Sequence, residues 1–131
     1  MKKVLILDFF GVLVIRDVAD VELVTLMQRL KEKEMQLFVI SNADEKLWTK
    51  QIAAHVFLQQ IFDKLYYSGK TGFLKPDPRA YEIILTENDL QPEDCIYFDD
   101  NRRNVEVARS LGIESHVFMG SEDVQLKLSR P

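Results

Sequence analysis

Short apolar runs alternate with amphipathic stretches along most of the chain. The apolar runs have the length and composition of buried strands, whereas the stretches between them repeat apolar residues at helical spacing. The expected strands cover residues 3–8, 36–40, 64–67, 95–98 and 115–118. The expected helices cover residues 19–34, 43–62 in two pieces, 77–85 after an Asp77 N-cap, 101–111 and 121–128, with a loop at 69–72. This alternation predicts one α/β domain over residues 1–131, in three α/β/α layers around a Rossmann-like parallel sheet of about five strands.

Three of the expected strands end in polar residues. Asp8 closes the first, Ser41 and Asn42 follow the second, and Asp99 and Asp100 follow the strand at 95–98. A carboxylate at the end of a buried strand is costly unless a cation or a reacting group meets it. In open parallel sheets, ligands bind outside the carboxyl ends of the strands. We therefore expect these residues to share one site, in which the two acidic strand ends hold a metal ion.

Charge and cysteine content narrow the classes of function. A net charge of −4 and a pI near 5.2 argue against a nucleic-acid-binding surface, which is normally basic. Cys95 is the only cysteine and lies within an expected strand, so we expect a core position and a reducing compartment. No apolar run approaches the ~18 residues of a membrane span, and Asp8 interrupts the N-terminal run. These features predict a cytoplasmic protein without nucleic-acid or membrane partners.

Four motifs follow one another in order and extend over nearly the whole chain. They are Asp8-Phe9-Phe10-Gly11-Val12-Leu13, Ser41-Asn42, Lys75-Pro76-Asp77-Pro78 with Tyr81, and Asp99-Asp100 with Asn104. Together they resemble the haloacid dehalogenase superfamily, most of whose members are phosphatases with an aspartate nucleophile and Mg²⁺. The fourth motif is similar to the subgroup related to the phosphatase domain of soluble epoxide hydrolase.

The resemblance implies catalytic and substrate-binding roles for the first three motifs. Asp8 would attack phosphorus and form an aspartyl-phosphate, which divides one difficult displacement into two easier steps. Ser41, Asn42 and Lys75 would bind the phosphoryl oxygens, and Lys75 would also neutralise their charge. Without the resemblance, Ser41 or Asn42 is also a fitting helix N-cap, and Lys75 a surface lysine.

The resemblance also implies a Mg²⁺ site at the acidic strand ends. Its ligands would come from Asp8, the backbone carbonyl of Phe10, Asp99 and Asp100, which are hard oxygen donors. The sequence leaves open which of the adjacent acids binds the ion directly. Asn104 lies one helical turn beyond Asp100 and would orient a metal-bound water or the acidic loop, although a helix cap is an equal alternative.

Phe10 departs from the family pattern. Most phosphatases of the family have a second aspartate two residues after the nucleophile, which protonates the leaving group and then activates water. A phenyl ring can do neither, so the usual acid–base contribution of ~10²–10⁴-fold is missing from this position. The rate of hydrolysis would fall least for phosphate compounds with good leaving groups, which need less protonation.

The segments that carry a cap domain in many relatives are short here. Residues 12–39 have room for one turn and one helix, and residues 42–75 are also too few for a cap. We therefore expect a HAD-like core without a cap and an open site, unless a second subunit of a homo-oligomer covers it. An open site suits a bulky or macromolecular phosphorylated substrate, and a small molecule is the other possibility.

Three hypotheses about the function follow from the sequence. The first is a Mg²⁺-dependent hydrolase of the haloacid dehalogenase type that acts on a phosphate ester through Asp8. The second is a metal- and phosphate-binding module that kept the fold without turnover, which Phe10 and the missing cap motivate. The third, dehalogenation at carbon, fits least well because dehalogenases need no metal and enclose their substrate under a cap.

Overall fold

The computed structural model describes residues 2–130, and parallel strands form its centre. The strands are β1 (Val4–Asp8), β2 (Val14–Ile15), β3 (Val18–Ala19), β4 (Gln36–Ser41), β5 (Lys64–Tyr67), β6 (Cys95–Asp99) and β7 (Glu114–Val117). Five of them form one parallel sheet in the order β5-β4-β1-β6-β7. Asp8 pairs in register with Ile40 of β4, and Leu7 with Phe98 of β6. The carboxyl ends of β4, β1 and β6 therefore lie side by side.

Helices connect the strands of this sheet. They are α1 (Val21–Glu32), α2 (Glu45–Ala54), α3 (Phe57–Ile61), α4 (Ser68–Thr71), α5 (Arg79–Glu87), α6 (Arg102–Ser110) and α7 (Ser121–Leu128). Asp20, Asp44 and Asn101 precede α1, α2 and α6, and each side chain accepts an N–H group from the first turn of its helix. None of the helices in the described residues is both long and apolar enough to cross a membrane.

The core lies on both faces of the sheet. On β1, Leu5 and Leu7 belong to one buried cluster, whereas Val4 and Ile6 belong to the other. This alternation arises because successive side chains of a strand point to opposite faces. Cys95 is fully buried in the second cluster, as its position in an apolar run predicts. Because helices cover both faces of the sheet, its strands are apolar along their whole length, as in a three-layer α/β/α fold. The predicted fold class is therefore confirmed.

Local details differ from the prediction in three places. Residues 14–19 form the hairpin of β2 and β3, which was not predicted. The stretch at 69–72, predicted as a loop, lies largely within the short helix α4. Helix α5 begins at Arg79 rather than directly after Asp77, and the Asp77 carboxylate accepts the Arg79 N–H at 2.9 Å.

The hairpin fills the connection between β1 and α1. The N–H group of Gly11 donates to the carbonyl of Val14 at 2.9 Å, and that of Asp20 donates to the carbonyl of Leu13 at 2.9 Å. Residues 9–20 are therefore a tight turn and a two-stranded ribbon, with no helical domain among them. The described segment between β1 and α1 therefore contains no cap domain.

Candidate active site

Three strand ends bring the predicted acidic residues together. Asp8 is the last residue of β1 and Asp99 the last of β6, and Asp100 follows directly. One carboxylate oxygen from each of these residues lies within 4.8 Å of the other two. Asp8 and Asp99 are buried, whereas Asp100 is exposed. The cluster is therefore open to solvent on the side of Asp100 and closed beneath.

Lys75 joins the two buried carboxylates. Its Nζ donates to Asp8 Oδ1 at 2.7 Å, to Asp99 Oδ2 at 2.9 Å and to the backbone carbonyl of Ile40 at 3.3 Å. The side chain is only 3% exposed, so water screens these contacts little. All three ammonium protons have acceptors, which fixes Lys75 beneath the carboxyl edge of the sheet.

The charges of this cluster do not balance. One ammonium group faces two buried carboxylates, with a third at the surface. Burial raises the pKa of Asp8 from 3.8 to about 8. The charge of Lys75 opposes this increase, and the charge of Asp99 adds to it. Burial also acts to raise the pKa of Asp99, but Lys75, Tyr97 and the Asn101 N–H outweigh it and lower that pKa. Without a further cation, Asp99 is thus the carboxylate paired with Lys75, and Asp8 tends to hold a proton.

Asp99 is saturated with hydrogen bonds from the protein. Its Oδ2 accepts from Lys75, from the hydroxyl of Tyr97 and from Asn104 Nδ2 at 3.1 Å. Its Oδ1 accepts from the N–H group of Asn101 at 2.9 Å. These donors leave Asp99 little capacity to bind an ion directly. Asp100 lies at the exposed rim, so its geometry suits a metal ligand better.

Asn42 and Ser41 lie at the end of the neighbouring strand β4. The Asn42 side chain donates to the carbonyl of Lys75 at 2.9 Å and accepts the Lys75 N–H at 2.8 Å. This pair of bonds holds the lysine backbone in place. The hydroxyl of Ser41 is buried and has no hydrogen-bond partner among the described residues. A buried hydroxyl without a partner is costly, and an anion bound at this edge would satisfy it.

Asn104 is positioned by the first turn of α6. Asn101 caps that turn, and the Asn104 amide reaches back to Asp99. The backbone carbonyl of Asn104 accepts a hydrogen bond from the buried hydroxyl of Tyr81 at 3.1 Å. Its side chain thus contacts the acidic loop through Asp99, and its role in orienting that loop remains a prediction.

Tyr97 is a site residue that the sequence analysis missed. Its side chain is fully buried, its hydroxyl donates to Asp99, and its ring meets that of Tyr81 edge to face at 5.5 Å. Burial and the nearby Asp99 charge raise its pKa well above 10, so it remains a neutral donor. The available signal was a tyrosine two positions before Asp99 in a strand, which places both side chains on the same face.

Gly11 allows Asp100 to reach the cluster. Its φ of +88° lies in the left-handed region, and a Cβ built on it would come within 2.7 Å of Asp100 Cγ. We therefore expect Gly11→Ala to push the Asp100 carboxylate away from Asp8 and Asp99, so that an ion such as Mg²⁺ at a metal site formed by these acids would bind ~10–100-fold more weakly, the usual cost of disturbing a group that positions a ligand. Isothermal titration calorimetry with MgCl₂ measures this change.

Gly72→Ala is the matched control for this variant. Gly72 has a similar φ of +85° but no atom within 4 Å of the added Cβ. Both variants should lose about 1–2 kcal/mol from the strained backbone, and only Gly11→Ala should lose metal affinity. Equal Mg²⁺ affinity in the two variants would refute the role assigned to the Gly11–Asp100 contact.

Phe10 occupies the connection just after Asp8. Its ring is partly buried against the first core cluster and meets the Phe9 ring edge to face at 4.8 Å. Its backbone forms an isolated bridge with Val14 at the start of the hairpin. The ring therefore has a structural anchor, and it brings no ionisable group to the site.

The family model of haloacid dehalogenase-like hydrolases matches residues 19–118, which is most of the chain. The chain belongs to this family. The match contains Ser41, Lys75 and Asp99, whereas Asp8 precedes it. The resemblance expected from the four motifs is thereby confirmed.

Two curated proteins illustrate the range of relatives of this haloacid dehalogenase-like chain. A phosphorylated carbohydrates phosphatase of Thermotoga maritima is 26% identical over 88 residues, which are 67% of this chain and 40% of that protein. The bifunctional epoxide hydrolase 2 of Rattus norvegicus is 34% identical over 56 residues, which are 43% of this chain and 10% of that protein. The chain thus spans less than half the length of these relatives.

Solved structures of the family share the fold. A HAD family enzyme of Bacteroides thetaiotaomicron, crystallised as an Asp-to-Ala mutant with magnesium and inorganic phosphate, superposes with a TM-score of 0.80 at 17% identity. The superposition covers 99% of this chain and all of that one. At this identity the likeness concerns the arrangement of strands and helices alone.

Proposed function

We propose that this haloacid dehalogenase-like hydrolase is a Mg²⁺-dependent phosphatase that forms an aspartyl-phosphate on Asp8. The observation that carries the proposal is the meeting of Asp8, Asp99 and Asp100 within 4.8 Å next to the buried ammonium group of Lys75. Such a group of oxygens suits a divalent cation, and the cation and Lys75 together suit an anionic phosphoryl group.

The donor set fits Mg²⁺ on two counts. Carboxylate and carbonyl oxygens are the hard ligands that this ion prefers, and the cluster has more negative than positive charge. Asp8, Asp100 and the backbone carbonyl of Phe10 would hold the ion, and Asp99 would orient the loop from behind. When bound, Mg²⁺ would supply positive charge to the phosphoryl oxygens and keep Asp8 ionised.

The protein groups have distinct tasks in this proposal. An Asp8 carboxylate oxygen attacks phosphorus, the bond from phosphorus to the leaving oxygen breaks, and water then releases phosphate from Asp8. Lys75 holds Asp8 in its attacking position and offsets negative charge. The unpartnered hydroxyl of Ser41 donates to a phosphoryl oxygen. Asn42 fixes the lysine backbone.

The curated relatives support phosphate chemistry, whereas the solved structures of this fold include a dehalogenase as well as phosphate-bound enzymes and do not separate the two reactions. The Thermotoga protein is a phosphatase by name, and the Bacteroides enzyme was crystallised with magnesium and inorganic phosphate. The substrate of this chain would accordingly be a phosphorylated compound, held at the carboxyl edge of the sheet, where Asp100 is exposed.

A second candidate function rests on Phe10. Without an acid at this position, the fold could bind Mg²⁺ and phosphate without turnover, as a ligand-binding module. Calorimetric binding of both ions together with an absence of phosphate release would favour this alternative.

Phosphate release from acetyl phosphate, measured with Mg²⁺ and with excess EDTA, tests the proposed function. We expect release that depends on Mg²⁺ and that is lost in Asp100→Asn, because this change removes a charged ligand. Glu106→Gln, which changes an exposed acid of α6, is the matched control and should behave as wild type. Release that is equal with EDTA, or equal in the two variants, would contradict the proposal.

A further inference from the structure

Three side-chain donors converge on one oxygen atom of Asp99. Lys75 Nζ donates to Asp99 Oδ2 at 2.9 Å, Asn104 Nδ2 donates to it at 3.1 Å, and the hydroxyl of Tyr97 donates to the same atom. Lys75 has a task in the proposed phosphoryl transfer, whereas the hydroxyl of Tyr97 has none so far.

Packing fixes the place of the Tyr97 hydroxyl. Tyr97 lies in the middle of β6, its side chain is fully buried, and its ring meets that of Tyr81 edge to face at 5.5 Å. Asp99 follows two residues later on the same strand, so both side chains lie on one face of the sheet. The hydroxyl is therefore held against Asp99 by the strand that carries both residues.

Lys75 is shared between two buried carboxylates. Its Nζ is 2.7 Å from Asp8 Oδ1 and 2.9 Å from Asp99 Oδ2. A carboxylate that accepts more hydrogen bonds keeps its charge with less need of an ion pair. Tyr97 and Asn104 meet part of the charge of Asp99, so the ammonium group can remain in contact with Asp8. The contact between Lys75 and Asp8 thus depends on two donors that bond to Asp99.

The hydroxyl of Tyr97 cannot readily be replaced by water. It is fully buried and comes from within the strand that ends in Asp99, whereas Asn104 comes from the first turn of α6. A buried acceptor that loses its donor keeps the full cost of its desolvation. Asp99 without this donor would hold Lys75 more strongly.

We propose, building on the proposed function, that Tyr97 is a positioning residue that holds the Asp99 carboxylate so that Lys75 stays in contact with the attacking Asp8. Without the hydroxyl, Lys75 moves toward Asp99 and away from Asp8. A displacement of about 1 Å near the reacting atoms can lower the rate ~10²-fold.

Tyr97→Phe tests this role, because it removes the hydroxyl and keeps the ring that packs on Tyr81. With acetyl phosphate and saturating Mg²⁺, we expect kcat to fall ~10–100-fold while KM stays near the wild-type value. KM is spared because Ser41 and the ion, rather than Tyr97, would meet the phosphoryl oxygens.

Tyr66→Phe is the matched control for this variant. Tyr66 is a buried strand residue of the same core cluster, and its hydroxyl donates to a carboxylate oxygen of Glu87 at 2.9 Å. It lies on β5 at the edge of the sheet, away from β6. Both variants should be less stable than wild type, and only Tyr97→Phe should lose kcat. Equal kcat values in the two variants would overturn the proposal.

A double-mutant cycle gives a readout that needs no turnover. The equilibrium constant of unfolding is measured in EDTA for Tyr97→Phe, for Lys75→Met and for the double variant. We expect the double variant to depart ~5-fold or more from the product of the single effects, as groups of one hydrogen-bond network do. The same cycle with Tyr66→Phe should multiply to within about twofold. A multiplicative result for Tyr97→Phe would contradict the proposal.

The two measurements separate this role from the proposed function. If the wild type releases phosphate and Tyr97→Phe keeps its kcat, the positioning role fails and the phosphatase stands. If the wild type releases none, the proposed function fails, and the cycle alone decides whether Tyr97 holds Lys75 in place. If Lys75→Met fails to fold, the kcat of Tyr97→Phe still decides.

Discussion

Replacing Asp8 by Asn should lower the Mg²⁺-dependent hydrolysis of acetyl phosphate by about 10⁴-fold or more. Loss of a catalytic nucleophile commonly has effects of this order, because the remaining groups can bind the phosphoryl group but cannot accept it. The measurement is the initial rate of phosphate release at saturating Mg²⁺. A variant that keeps more than about a tenth of the wild-type rate would exclude Asp8 as the nucleophile.

The stability of this variant provides a folding control with a defined pH dependence. The pKa of Asp8 is about 8 in the folded protein and 3.8 in the reference state. A raised pKa means that the stabilisation from the bound proton is fully present below pH 3.8 and is lost as the pH rises through about 8. Metal-free wild type should therefore lose thermal stability, relative to Asp8→Asn, as the pH rises across this window. A constant difference in Tm would contradict the assignment of this pKa to Asp8.

Replacing Lys75 by Met should destabilise the metal-free protein by about 3–5 kcal/mol. Methionine has a similar length but no charge, so the Asp99 carboxylate would remain buried without its cation, next to an Asp8 that tends to hold a proton. Denaturant unfolding in EDTA measures the change in the free energy of unfolding. Added Mg²⁺ should restore part of the loss, because a bound divalent cation again neutralises the carboxylates.

Lys70→Met is the matched control for this substitution. Lys70 is exposed on α4, and a surface change of this type usually alters stability by less than about 0.5 kcal/mol. If the two substitutions cost the same, the ion pairs of Lys75 with Asp8 and Asp99 would not contribute to the stability of the fold.

The fold and the position of the acidic cluster could be predicted because both follow from local patterns. The apolar runs identify the strands, and parallel strands bring Asp8 and Asp99 to the same edge. The roles of Asp8, Lys75 and Ser41 came from the family resemblance and remain predictions, although the structure brings these residues to neighbouring positions.

Details that depend on tertiary contacts could not be predicted. Helix α4 exists at residues 68–71 because the Ser68 hydroxyl binds the backbone of Ala43, and Gly69 packs closely on the start of α2. The β2–β3 hairpin turns through Arg16 and Asp17, which both have positive φ without the glycine that usually indicates such a turn.

The different surroundings of Asp99 and Asp100 are another detail that could not be predicted. Adjacent aspartates look alike in a sequence, and only the donors around them distinguish the two. Tyr97, Asn104 and Lys75 surround Asp99, whereas Asp100 lies at the exposed rim beside Gly11. These contacts come from three separate parts of the chain, so no local pattern could indicate them.

The most direct test of the central claim is to look for the phosphorylated intermediate. Wild-type protein is mixed with acetyl phosphate and Mg²⁺, quenched in acid after a short time, digested and analysed by mass spectrometry. The account predicts one added phosphoryl group on Asp8 that is absent with EDTA and absent in Asp8→Asn. Phosphate release without any phosphorylated Asp8, or a phosphoryl group on another residue, would contradict it.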